Sequence, residues 1–210
     1  MLVSLILSLV FIYLLIAARK SLKRRTLQVF FSRLRPRHFV RALLTLGVMG
    51  FTAALLLEPE SLLRWGWWGM LGGSGNVLLG QTANAHGSST RLIVPIIILI
   101  LLVLSLSEAA FSEEMIFRSG DEHRPFSERL KRSIVFGLEH IVMGIPIGAA
   151  LVLSIGGLSF SGAYRKAFTK TGSADEAIVE STLVHIAFNL IISALLLLYL
   201  LMRLTGIRHS

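Results

Sequence analysis

Residues 92–117 read LIVPIIILILLVLSLSEAAFSEEMIF, an apolar run that is long enough to cross a bilayer yet contains three glutamates. The hydrocarbon core of a bilayer is about 30 Å thick, and a helix needs about 20 apolar residues to span it. Similar apolar stretches lie at 2–18, 42–57, 133–158 and 177–202. The sequence therefore predicts an all-α fold, a polytopic membrane helix bundle.

The composition excludes several other classes of protein. The chain has 210 residues, of which 54% are hydrophobic and only 16% are charged, whereas soluble domains carry about 25% charged residues. An ordinary soluble globule, a disordered chain and a coiled coil are excluded on this ground. The absence of cysteine excludes a disulfide framework, a thiolate metal site and a cysteine nucleophile.

The positions of the cations predict the topology. Nine lysines and arginines and no acid lie in residues 19–41, which is typical of a cytoplasmic loop next to anionic lipid headgroups. If the block 133–158 is broken at Gly144-Ile145-Pro146, the cations of 165–170 fall on the same side as those of 19–41. We therefore predict about six transmembrane helices rather than five. No motif indicates nucleic acid as a partner.

The chain divides into two predicted parts. Residues 1–90 form a two-span region with the basic cytoplasmic loop and a Trp/Gly-rich loop at 58–90. Tryptophans near the start of that loop predict an anchor at the far headgroup layer; they are Trp65, Trp67 and Trp68. Residues 91–210 form the helix bundle that carries the candidate site.

Three clusters of polar residues interrupt the apolar helices of the second part. They are EEMIFR at 113–118, FGLEH at 136–140 and HIAFN at 185–189. A charged side chain at the bilayer centre costs roughly 2.5–3.5 kcal/mol and usually faces a bundle interior. Because residues four apart are neighbours on a helix, Glu114 is expected to pair with Arg118. The topology brings the three clusters to a similar depth, in one cavity that faces the cytoplasm.

The other ionisable residues are expected to be structural. Glu108, Glu139 and Glu180 are interpreted as interfacial anchors, and the histidines in loops or at the end of the chain as solvated; these are His38, His86, His123 and His209.

The ordered motifs EExxxR, FxxxH and HxxxN resemble those of the CPBP family (CAAX proteases and bacteriocin-processing enzymes, also called Abi). This family of intramembrane peptidases includes the type II CAAX prenyl endopeptidase. The resemblance covers about residues 111–191 and departs from the pattern at Ser119, where many members have glycine. It implies that 91–210 is a CPBP-like catalytic helix bundle.

The resemblance implies an endopeptidase that hydrolyses a peptide bond in a membrane-associated protein or peptide. The implied site residues are Glu113, Glu114, Arg118, His140, His185 and Asn189. Glu113 with His140 would activate a water molecule, and His185 with Asn189 would stabilise the oxyanion. Glu114, held by Arg118, would orient the site.

The sequence does not determine whether the site binds a metal cofactor. Two glutamates and two histidines also make a plausible zinc set, namely Glu113, Glu114, His140 and His185, and the same residues permit a metal-free mechanism. Expected partners are membrane lipids and a peptide or lipidated-protein substrate. We expect an integral protein of a bacterial plasma (inner) membrane, with its active site on the cytoplasmic side.

Two other functions compete with the peptidase. One is a non-catalytic membrane scaffold or bacteriocin-immunity protein that retains the fold. The other is a small transporter with a proton relay, which is less favoured because its polar groups are expected to cross the full membrane depth.

Overall fold

The computed structural model describes residues 2–58, 61–70 and 90–204, and these ranges contain helices and no strands. The α-helices are α1 Leu2–Lys23, α2 Thr26–Arg33, α3 Pro36–Leu56, α4 Trp67–Met70, α5 Thr90–Arg118, α6 Phe126–Glu139, α7 Ile147–Thr171 and α8 Ala174–Leu204. Two 3₁₀ turns lie at Leu62–Arg64 and His140–Met143.

Four described helices are long and apolar enough to cross a membrane, which confirms the predicted class of all-α membrane bundle. They are Pro36–Leu56, Pro95–Arg118, Ile147–Thr171 and Ala174–Met202. The predicted number of six is not confirmed. Helix α6 has 14 residues, so it is about 21 Å long and shorter than the bilayer core of about 30 Å.

The predicted break in the block 133–158 is confirmed. The 3₁₀ turn after α6 ends at Gly144, which has a φ of 79°, a left-handed conformation that glycine adopts without a steric penalty. Pro146 then precedes the first residue of α7 in an extended conformation. Proline lacks the N–H that a continuing helix would need. Helices α6 and α7 therefore form an antiparallel hairpin.

The segment 61–70 holds this hairpin turn. The indole Nε1 of Trp67 donates to the carbonyl oxygen of Ile141 at 2.7 Å, and the backbone N–H of Ile147 donates to the carbonyl oxygen of Trp65 at 3.0 Å. Trp68 is 1% exposed. The prediction of a three-tryptophan interfacial anchor is therefore wrong for Trp68, because this ring is enclosed by protein; residues 59–60 and 71–89 of the predicted loop lie outside the described residues.

The cationic segments gather at one end of the bundle. Arg33 lies 2.6 Å from Glu176 and Arg37 lies 2.9 Å from Glu180, so the end of α2 and the start of α3 meet the start of α8. Arg132 donates to the carbonyl oxygen of Phe117 at 2.9 Å, which joins α6 to the end of α5. We call this side, where α5 and α7 end and α3, α6 and α8 begin, the charged end. The location of these cations at one end of the bundle agrees with the topology predicted from their positions in the sequence. The cytoplasmic orientation of that end stays a prediction.

Two of the predicted anchors are instead ion-paired across helices. Glu108 contacts Lys20 of α1 and Arg24 of the turn that follows α1, each at 2.9 Å. Glu180 contacts Arg37 and also the Nε2 of His38 at 3.2 Å. These carboxylates connect neighbouring helices and do not serve as isolated anchors.

The prediction of a solvated His38 is also wrong. His38 is 1% exposed, and its Nδ1 accepts a hydrogen bond from the backbone N–H of Arg35 at 3.0 Å. Its ring therefore caps the start of α3 and faces α8. His123 is exposed, as predicted, and His86 and His209 lie outside the described residues.

Candidate active site

Glu114 is the centre of a buried polar cluster between α5 and α8. It is fully buried, and its Oε1 lies 2.9 Å from the Nδ1 of His185. Its Oε2 accepts a hydrogen bond from the hydroxyl of Ser181 and lies 3.5 Å from the Nε of Arg118. The predicted pairing with Arg118 is present, but His185 and Ser181 are the closer partners.

The neighbouring Glu113 has a different environment. Its side chain is 30% exposed, and its Oε2 lies 3.7 Å from the Nε2 of His185. This distance exceeds that of a normal hydrogen bond, so both atoms remain free to meet a third group. Because a carboxylate accepts hydrogen bonds, the Nδ1 of His185 is the donor to Glu114. The Nε2 of the same ring faces Glu113.

Phe136 brings the two predicted imidazoles together. Its ring centroid lies 5.1 Å from that of His140 and 5.7 Å from that of His185, with both pairs in edge-to-face orientation. Phe160 stacks on the other face of His185 with centroids 4.3 Å apart. The two imidazoles therefore lie in one layer and on one side of the bundle.

The ring of His140 is also oriented by a hydrogen bond. Its Nδ1 lies 2.8 Å from the carbonyl oxygen of Phe136. A carbonyl oxygen only accepts, so Nδ1 carries the hydrogen and the Nε2 lone pair is available. His140 and Glu113 are not within ion-pair distance of each other.

Arg118 is fully buried beneath this layer. Its guanidinium carbon lies 5.8 Å from the ring centroid of Phe117 and 5.2 Å from that of Phe136. A Cβ atom at Gly157 would lie 3.0 Å from its Nη2, so the absence of a side chain there gives the guanidinium its space. None of its three nitrogens has a hydrogen-bond partner in the described part of the chain. Contacts with the aromatic rings and the charge of Glu114 stabilise this cation.

Asn189 is the most isolated of the predicted site residues. It lies one turn beyond His185 on α8, is half-buried, and has no hydrogen-bond partner among residues 2–58, 61–70 and 90–204. The structure thus groups Glu113, Glu114, Arg118 and His185 directly, and His140 through Phe136. It shows no contact of Asn189 with the acids.

Sequence reasoning missed several residues of this site. Ser181 binds Glu114, and its position four residues before His185 on α8 was the available signal. No local sequence pattern in the helix that carries Phe160 predicted that its ring would stack on His185. Glu139 was interpreted as an anchor; it is exposed at the end of α6, next to His140.

The predicted zinc set stays an untested alternative to the metal-free mechanism. Both oxygens of Glu114 already have partners in His185, Ser181 and Arg118. In the described ranges, no three histidine, aspartate or glutamate side chains converge as metal ligands. A catalytic zinc ion needs about three protein ligands, and the reaction proposed for this site uses protein side chains alone.

No protein-family model, curated protein or solved structure matches the chain. The resemblance to the CPBP family therefore rests on the three sequence motifs.

Proposed function

We propose that the protein is an intramembrane endopeptidase in which Glu113 is the general base. The observation that carries the proposal is the unequal environment of two adjacent acids. Glu114 is fully buried and binds the Nδ1 of His185, whereas Glu113 is partly exposed and lies beside the Nε2 of the same ring. One acid therefore orients the imidazole and the other is free to take a proton.

In the proposed reaction, the carboxylate of Glu113 removes a proton from a water molecule while the water oxygen attacks the peptide carbonyl carbon. The proton is then transferred from Glu113 to the leaving amine as the carbon–nitrogen bond breaks. The products are a carboxylic acid and an amine, and Glu113 returns to its carboxylate form. The Nε2 of His140 would accept a hydrogen bond from the second O–H of the attacking water, which keeps that hydrogen and becomes the hydroxyl of the carboxylic acid.

The developing oxyanion needs hydrogen-bond donors. When both ring nitrogens of His185 carry hydrogen, Nδ1 donates to Glu114 and Nε2 can donate to the oxyanion. The amide of Asn189 is assigned as a second donor by the family resemblance. Its lack of a partner among the described residues leaves that amide available for such a role.

The surroundings of Glu113 and His140 favour a substrate at the bilayer. Val135 and Val142 are exposed on the surface of the hairpin that also carries Glu139 and His140. Such apolar surface suits a membrane-associated protein or a lipidated peptide, and we place the protein in a bacterial plasma membrane with the charged end in the cytoplasm.

The test uses the full chain in proteoliposomes with a library of quenched fluorescent peptides, half of them prenylated. Glu113→Gln keeps the size and polarity of the side chain and removes the proton acceptor. We expect turnover to fall by about 10²–10⁴-fold, the usual contribution of a general base. The matched control is Glu128→Gln, which removes an exposed carboxylate that pairs with Arg124 at the surface. Full activity of Glu113→Gln, or equal losses in both variants, would contradict the proposal.

A further inference from the structure

A groove of about 780 Å³ lies between α3, α7 and α8 at the charged end, away from the candidate active site. Five cations line it, together with two acids, and they are Arg33, Arg37, Arg41, Lys166 and Lys170. The groove therefore carries an excess of positive charge, and its two lysines are exposed.

The two acids are already paired. Glu176 lies 2.6 Å from Arg33, and Glu180 lies 2.9 Å from Arg37. Three cations of the groove have no carboxylate within 4 Å in the part of the chain that the structure describes, and they are Arg41, Lys166 and Lys170; Glu180 acts on Arg41 only from a greater distance. An anion bound among these three cations would neutralise part of their charge.

Arg41 is held in place by α7. Its Nη2 donates to the carbonyl oxygen of Ser159 at 2.6 Å. A Cβ atom at Gly162 would lie 2.7 Å from the same nitrogen, so the guanidinium occupies the space that a side chain there would fill. The cation is thus positioned across the helix interface rather than extended into solvent.

The groove continues into an apolar stripe along α3. Val40 and Leu44 line the groove itself, and the exposed apolar residues Val48, Phe51 and Leu55 follow at helical spacing. The stripe from Val40 to Leu55 is about 22 Å long, which exceeds one leaflet of a bilayer core about 30 Å thick. An ion alone would use the cations and not the stripe.

We propose that this groove binds one anionic phospholipid. The headgroup phosphate lies among Arg41, Lys166 and Lys170, and an acyl chain follows the apolar stripe of α3. Basic pockets between transmembrane helices are a common way to recognise such headgroups. The combination of cations without a close ion pair and an adjoining apolar surface favours a lipid over a soluble phosphate.

The test measures the binding of a fluorescent phosphatidylglycerol to the full chain in neutral detergent micelles, with phosphatidylcholine as the neutral comparison. Lys166→Gln combined with Lys170→Gln is expected to weaken phosphatidylglycerol binding by about tenfold or more. Both lysines are exposed, so the fold is expected to be retained, which circular dichroism checks. The matched control, Lys23→Gln with Lys131→Gln, removes two exposed lysines outside the groove and should change binding less than twofold.

Three results would overturn the proposal. If phosphatidylglycerol binding weakened equally in the two double variants, the lipid would be attracted by the overall surface charge and not by the groove. Equal binding of phosphatidylcholine would mean that the apolar stripe alone holds lipid. Displacement of the lipid by an equal concentration of glycerol 1-phosphate would mean that the groove is a soluble-anion site. Phosphatidylglycerol binding is also measured for Glu113→Gln, so that the test of the lipid site does not depend on peptidase activity.

Discussion

The Nδ1 of His185 lies 2.9 Å from the Oε1 of Glu114, and this contact joins α8 to α5 in the interior of the bundle. The hydroxyl of Ser181, one turn earlier on α8, binds the other oxygen of the same carboxylate. One buried acid therefore fixes both the spacing of two helices and the orientation of an imidazole. Glu113, the preceding residue in the chain, takes no part in this contact.

Glu114→Gln should destabilise the protein far more than Glu113→Gln. The glutamine cannot accept hydrogen bonds through both terminal atoms, and the buried cation of Arg118 loses its nearest carboxylate. Removing one partner of a buried ion pair costs about 3–5 kcal/mol of unfolding free energy. Unfolding titrations in detergent measure the difference, with Glu113→Gln as the adjacent control. Similar stability of the two variants would mean that Glu114 is not the structural acid.

Ser181→Ala should reduce turnover by about tenfold while the fold is retained. The variant loses a hydrogen bond to a charged acceptor, which contributes about 1.5–3 kcal/mol, and the carboxylate that orients His185 becomes freer to move. Thr182→Ala is the control, because the Thr182 hydroxyl donates to the carbonyl oxygen of Ile178 within α8. Turnover on any cleaved library peptide is compared at matched helicity; a loss in Thr182→Ala of the same size would refute the specific role of Ser181.

Gly137→Ala should separate α6 from α7. A Cβ atom there would collide with the backbone oxygen of Ala150 and lie 2.7 Å from the backbone nitrogen of Ser154. We expect a loss of several kcal/mol of unfolding free energy, since overpacking against backbone cannot be relieved by a rotamer change. Gly47→Ala in α3 is the control, because nothing lies within 4 Å of its added Cβ. That variant should be neutral or more stable by up to about 1 kcal/mol; the same result for Gly137→Ala would contradict the tight packing.

Cysteine labelling should show that positions at the charged end are accessible from the same side of the membrane. The chain has no cysteine, so single cysteines can be introduced at Ser32, Thr169 and Glu58, which are all exposed. We expect a membrane-impermeant maleimide to label Ser32→Cys and Thr169→Cys from the cytoplasmic side and Glu58→Cys from the opposite side. Labelling of Ser32→Cys and Thr169→Cys from different sides would disprove the shared charged end, and external labelling of both would reverse the orientation.

The convergence of the polar clusters could be predicted from the sequence, because each cluster is a local pattern. The four-residue spacing places Phe136 beside His140, and the break at Gly144 to Pro146 makes α6 and α8 run in the same direction. The contacts of Ser181 with Glu114 and of Phe160 with His185 could not be predicted, since they join residues from different helices.

The length of α6 could not be predicted from the sequence either. Residues 133–158 form an almost continuous apolar block, and hydropathy alone does not show that the first helix ends at Glu139. The burial of His38 was missed for a related reason. Its partners are the backbone of Arg35 and the side chain of Glu180, and the latter lies far along the chain.

The contacts between residues 61–70 and the α6–α7 turn have a consequence for the order of biosynthesis. Trp65 and Trp67 leave the ribosome well before Ile141 and Ile147, the residues whose backbone groups they bind. The surface that receives the turn is therefore already synthesised when the hairpin emerges. We expect the hairpin to dock during translation, so that the imidazole of His140 is positioned before α8, which carries His185, has been completed.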